Sequence, residues 1–202
     1  MELNLKKVRY RQIATEHGRK LRLDARPGVY AWFREFDLRE FGADPNGFVR
    51  KVRELLNVNL SDTFRQKIGV VYHVTLVEQG GALTPKKVEW LERVASHEIG
   101  RKVISDALLT LSEIQSPLYV GKAVDIRSRI AQHVTGQSEL AERFEEAGLQ
   151  LDDCFVKIAY LDDEEVQGAA ELLGSQGQES LILLIEDIIT RLGPAAFVRR
   201  PG

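Results

Sequence analysis

One cysteine, Cys154, is all the thiol chemistry this 202-residue chain carries. That excludes an intrachain disulfide and a cysteine-based metal cluster. In Cys154-Phe155-Val156 it reads as a small core residue of a strand. Long apolar runs are missing too. Leu181-Ile182-Leu183-Leu184-Ile185 falls far short of the roughly 20 residues a membrane-spanning helix needs. No apolar run follows the basic start, so no signal peptide is expected, and the expected compartment is the cytoplasm. A strong excess of charge of either sign is absent as well. The net charge is −2, which by itself argues neither for nor against a nucleic-acid partner.

What is present is 44% hydrophobic and 29% charged, enough for one core, or one core with an appended subdomain. The near-zero net charge hides an asymmetry. Residues 1–26 carry eight cations, among them Lys6, Lys7, Arg9 and Arg11, against Glu2, Glu16 and Asp24, a net of +5. Residues 139–187 carry fourteen acids against Arg143 and Lys157. A basic end is a contact surface for phosphates or a solvated charged face.

Strands and helices are mixed along the chain. Val29-Tyr30-Ala31-Trp32-Phe33 after Pro27-Gly28, Val70 to Val77, Leu118-Tyr119-Val120 and Cys154 to Tyr160 are rich in β-branched and aromatic residues and predict strands. Phe48, Val49, Val52, Leu55 and Leu56 recur at helical spacing after the Asp44-Pro45-Asn46-Gly47 turn. Thr84-Pro85 starts a helix running to about Leu108, with a break expected at Gly100. Asp125 caps another, to about Val134; further helices are expected from Glu139 to Ala147, after the acidic stretch at Asp162, and from Gln178 to Leu192. The expected class is α+β: a small three-stranded antiparallel sheet flanked by helices, with an α/β subdomain inserted over 34–116.

Two stretches hold the reactive side chains. Pro27-Gly28-Val29-Tyr30 and Pro117-Leu118-Tyr119-Val120-Gly121-Lys122-Ala123 each set a tyrosine near a glycine in an apolar strand. Asp125, Arg129 and His133 follow, and Arg129 and His133, four apart, share one helix face. Phenol, ammonium, guanidinium and imidazole in one neighbourhood suit a phosphodiester better than an apolar ligand.

With these motifs the chain resembles the GIY-YIG nucleases, and within them the nuclease domain of the bacterial excision-repair incision subunit. Gly28-Val29-Tyr30 matches the first half of the family's name and Tyr119-Val120-Gly121 the second. The resemblance covers 27–33 and 117–134 well and 154–198 more loosely. Residues 34–116 match nothing in the family's core, so they read as an insertion with an interaction or targeting role; the nuclease core would be 1–33 with 117–202.

The resemblance implies site residues one by one. Tyr30, more than Tyr119, would handle the proton of the attacking water. That requires a lowered pKa, because a free phenol near 10 is a poor base, and Lys122 would favour the phenolate. Arg129 would hold the charge developing on phosphorus, and His133 would contact the scissile phosphate. A glutamate on the last helix would hold one Mg2+ or Mn2+ ion. Glu186 is the first choice on its spacing to Pro194 and its apolar neighbours, and Glu179, seven residues earlier, the second. The asparagine common in the family after that proline is replaced by Phe197 or Val198. Lys6, Lys7, Arg9, Arg11 and Arg127 would contact the nucleic-acid backbone. The implied function is a metal-dependent endonuclease, acting on DNA before RNA. The alternative is a degenerate domain that binds nucleic acid or a protein without cleavage.

Overall fold

The computed structural model describes residues 5–14, 23–56, 65–68, 72–75, 83–162 and 164–192. The chain is α+β and divides into two compact units. The first comprises Met1–Arg34, Ser116–Phe144 and Gln150–Gly202; the second comprises Glu35–Gln115 with Glu145–Leu149.

The first unit is built on a four-stranded antiparallel sheet in the order β1-β6-β2-β5. Its strands are β1 (Leu5–Arg9), β2 (Gly28–Arg34), β5 (Tyr119–Ala123) and β6 (Cys154–Tyr160). The three-stranded expectation missed β1. Leu5-Lys6-Lys7-Val8-Arg9 shows little apolar alternation because it is an edge strand, where charge is tolerated and discourages pairing with another chain. β2 is central: Val29, Tyr30 and Trp32 are buried, and it pairs with β5 on one side and β6 on the other.

Strand alternation divides the sheet residues between two faces. Tyr30 and Trp32 take one face, opposite Gly121 and Tyr119 of β5. This face receives α5 (Ile126–Val134), whose Ile126 and Ile130 are fully buried. Asp125 caps α5 as the sequence suggested: its carboxylate accepts from the Ser128 backbone N–H at 3.0 Å and from the Ser128 hydroxyl at 2.7 Å. Val29 and Val120 take the other face and pack with Leu161, with Val166 of α7 (Glu164–Glu171) and with Ile182 of α8 (Gly177–Leu192). A helix α6 (Glu139–Glu146) follows α5, and its Phe144 meets Trp32 edge to face.

In the second unit, α2 (Pro45–Leu56), α3 (Pro85–Ala95) and α4 (Glu98–Leu111) enclose Leu38, Phe48, Leu91 and Ala95. Two short strands, β3 (Arg65–Ile68) and β4 (Tyr72–Thr75), pair antiparallel. The helix break falls at Ser96–His97 rather than at Gly100, which lies inside α4. Ser96 causes it. Its hydroxyl donates to the Arg93 carbonyl at 2.7 Å, offering the backbone a partner that ends the helix. Arg101 is nearly buried and ties this corner together through the carbonyls of Gly42 and Ala95, at 2.7 and 2.6 Å.

Candidate active site

Adjacent strands and one helix bring the four aromatic and cationic side chains of the two motifs together. Tyr30 is opposite Gly121 in the β2–β5 ladder. A methyl group added at Gly121 would lie 2.6 Å from the Tyr30 hydroxyl oxygen. Glycine is required there so that the phenol can lie across β5. From this position the Tyr30 hydroxyl reaches Nε2 of His133 on α5 at 2.7 Å. The Tyr119 ring lies 6.1 Å from Tyr30 and 5.8 Å from His133. Arg129, one turn before His133, sets its positive charge against both phenols and donates from Nη1 to Gln132 at 2.9 Å.

The electrostatics differ from the expectation. Tyr30 is buried, and desolvation pushes its pKa far above the usual phenol value, with Tyr119 adding to the rise and Arg129 opposing it. Lys122 has no part in this. It sits opposite Val29, on the sheet face away from Tyr30, and its charge acts on Glu186. The phenolate expectation is therefore overturned by burial and by the alternation of β5. His133 moves the other way. Burial, then the nearby Arg129 cation, lower its pKa to about 4, so at neutral pH it is an uncharged imidazole.

A cleft of about 470 Å³ opens beside these groups. Tyr119, Arg129, His133, Ser138, Arg143 and Glu186 line it. Of the two carboxylates considered, Glu186 is in the cleft, half-buried; Glu179 is exposed in the first turn of α8. The apolar neighbours that singled out Glu186 are not core. Leu183, Leu184, Ile188 and Ile189 are all exposed, and the apolar contact of α8 comes instead from Ile182, Leu181 and Ile185. Desolvation raises the Glu186 pKa; Lys122 pulls it down and Asp187 pushes it up. A half-buried carboxylate that is harder to ionise than usual gains from a nearby cation, and a hard divalent ion takes one or two carboxylates and fills its shell with water or phosphate oxygens. Among the described residues no three His, Cys, Asp or Glu side chains cluster as metal ligands.

The basic residues are elsewhere. Lys6, Lys7 and Arg9 are on β1, at the sheet edge opposite β5. Three strand spacings separate those edges, about 14 Å. Lys7 lies over the Phe155 ring at 4.0 Å, and Arg11 follows in the short helix α1 (Tyr10–Ala14). β6 lies between this charged edge strand and β2, the strand that carries Tyr30. Arg26, also part of that charge, pairs with Asp162. Arg127 is partly committed to structure, its Nε donating to the Leu23 carbonyl at 2.6 Å. Phe197 and Val198 lie outside the described residues.

Two cleft residues escaped the sequence reading. Arg143, 22% exposed, pairs with Glu139 at 2.7 Å and adds a second guanidinium to the wall. Ser138 accepts or donates at Nδ1 of His133, 2.7 Å away. The signal for Ser138 was local. Gly136 adopts φ 73° just past α5, the Gly136 N–H bonds the His133 carbonyl at 3.4 Å, and the Gln137 N–H bonds the Gln132 carbonyl at 2.9 Å. This glycine-ended helix cap turns the chain back on the last turn and delivers Ser138 beneath the imidazole. Among the described residues no helix is long and apolar enough to cross a membrane. No protein-family model, curated protein or solved structure matches the chain.

Proposed function

We propose that this chain is a metal-dependent endonuclease of the GIY-YIG kind, hydrolysing phosphodiester bonds of nucleic acid, DNA before RNA. One observation carries the reading: the Arg129 cation acts on both motif tyrosines at a cleft lined by Tyr119, Arg129, His133 and Glu186. Few other substrates need a donor-only cation, a buried phenol with a proton acceptor behind it and a half-buried carboxylate.

The chemistry follows from these groups. Arg129 and, farther along the wall, Arg143 bind the phosphate; the guanidinium fork of Arg129 holds the extra negative charge that builds on phosphorus. Glu186 would hold a divalent cation, which would supply polarisation of the phosphate and charge for the departing oxygen. Water attacks phosphorus opposite the leaving oxygen. Its proton moves to the Tyr30 oxygen as the Tyr30 proton moves to Nε2 of His133, so no free phenolate forms. A pKa near 4 makes His133 a weak base; the anionic phosphate in the same cleft raises it. Tyr119 orients Arg129, and Lys122 holds Glu186 ionised.

The experiment is nicking of supercoiled plasmid with magnesium, and again after chelation. Metal-dependent nicking is expected. The rate should be flat from about pH 6 to 9, because the acceptor is a neutral imidazole. A rise of about tenfold per pH unit into that alkaline range would restore a phenolate base. A second reading, binding without cleavage, is favoured by the protonated state of Tyr30. Retention of labelled duplex with no nicking at any pH would establish it.

A further inference from the structure

We infer that Ser138 is a positioning residue that selects the proton-accepting tautomer of His133: its hydroxyl oxygen accepts a hydrogen bond from Nδ1–H and leaves the Nε2 lone pair facing the Tyr30 hydroxyl. The inference rests on the nuclease reading for its kinetic consequence and on geometry alone for its structural one.

His133 is 1% exposed, so both ring nitrogens must find partners inside the protein. They have one each, Tyr30 at Nε2 and Ser138 at Nδ1, both at 2.7 Å. A neutral imidazole donates from one nitrogen and accepts at the other. The surroundings decide which. Arg129 can only donate, and its positive charge acts on the Tyr30 oxygen. A cation there draws the lone pairs of that oxygen toward itself and turns the phenol proton away from it, toward Nε2. If Nε2 donated instead, the Tyr30 proton would have to turn from the imidazole and point toward Arg129 or Tyr119. With the proton on Nδ1, Tyr30 donates to Nε2, Nδ1 donates to Ser138, and the Ser138 proton turns into the cleft. The other charged groups facing this cleft are Glu139 and Arg143 on α6 and Glu186 on α8. The Trp32 indole meets the ring edge-on at 6.3 Å and offers no acceptor.

The chemical consequence is direct. Only the Nδ1-protonated tautomer can take the Tyr30 proton during attack. The imidazolium formed then keeps its Nδ1–H hydrogen-bonded to a hydroxyl oxygen; when product leaves, Nε2 gives its proton back to Tyr30 as Tyr30 releases the water-derived proton to solvent, and the departing oxygen takes a proton from water. The opposite tautomer presents a proton to Tyr30 and blocks the relay.

The test uses the 202-residue chain with 15N-labelled histidine. Nitrogen chemical shifts in the wild type should give His133 with Nδ1 protonated and Nε2 bare at pH 7. A wild-type ring protonated at Nε2 overturns the inference whatever the variants do. In Ser138→Ala the Nε2-protonated form should appear, and kcat on supercoiled plasmid with magnesium should fall roughly tenfold or more with KM within about twofold. Ser138→Thr, which restores the hydroxyl, should recover both. An alanine variant with wild-type tautomer and kcat rejects the role. If the wild type cuts no plasmid, the nuclease reading fails by itself; the nitrogen shifts still decide the tautomer.

Discussion

The two faces of β5 hold the site in different ways. On the α5 face, Tyr30, His133 and Ser138 are hydrogen-bonded in series, with the histidine contacts at 2.7 Å, and the Arg129 charge acts on Tyr30 and His133. On the α8 face, Lys122 and Glu186 meet through charge, and burial leaves the carboxylate harder to ionise than usual. The first face is organised before anything binds. The second has a carboxylate that is better off with a cation nearby. An oriented proton relay on one side and an adjustable charged ligand on the other is the division expected where protein residues move protons and an ion supplies charge.

Each face can be broken separately. The largest effect is expected on the α8 face: Glu186→Gln should leave no measurable metal-dependent nicking, whereas Glu179→Gln should match the wild type, since Glu179 is outside the cleft. Swapped results in a metal titration would move the ion to the start of α8. Next comes Arg129→Ala, with a loss of about two to three orders of magnitude in kcat and the fold intact by circular dichroism; unchanged nicking would remove Arg129 from the site.

The buried relay should also show in stability. His133 has a folded-state pKa near 4 against 6.5 for the free group. Below pH 6.5 the unfolded chain takes up a proton that the folded one refuses. Stability should therefore be unaffected by this group above pH 6.5 and be lost progressively down to pH 4, by on the order of 3 kcal/mol in all. Glu186, with its raised pKa, contributes in the opposite sense, but it is common to wild type and His133→Gln. Urea midpoints of the two between pH 7 and 4 isolate the imidazole, and parallel curves would contradict its burial as a neutral ring.

The smallest effect on chemistry is expected at the far edge of the sheet. Neutralising Lys6, Lys7, Arg9 and Arg11 should weaken duplex binding and flatten its salt dependence by up to about 0.9 per lost phosphate contact. It should leave the cleaved bond unchanged, because backbone contacts position without reading sequence. An identical salt slope would make this strand only a solvated edge.

The parts of the site visible in the sequence were the two tyrosine motifs and the helix after the second, which carry the resemblance. Helix spacing set Arg129 and His133 on one face. Strand alternation sets Lys122 on the face away from Tyr30, against the role the resemblance implied for it, and what lies above that face is known only once α8 is seen to pack there. Ser138 could not be found by periodicity, since it reaches His133 through a turn. β1 was hidden because an edge strand needs no apolar pattern. Five residues, Glu145–Leu149, group with the second unit although they follow the site helices in the chain; sequence order carries no sign of that.

The cap at Gly136 also bears on how the site comes together. His133 and Ser138 are 5 residues apart, Tyr30 and His133 are 103 apart. The arginine, the imidazole and the serine thus belong to a piece of chain that can organise through local contacts, which form fast. The phenol arrives only when β2 zips onto β5. The entropy of closing the chain between them grows with the logarithm of its length, so each doubling costs only about 0.6 kcal/mol. A long stretch between the two motifs is therefore no obstacle to assembling the site, and its length is free to drift without loosening the relay.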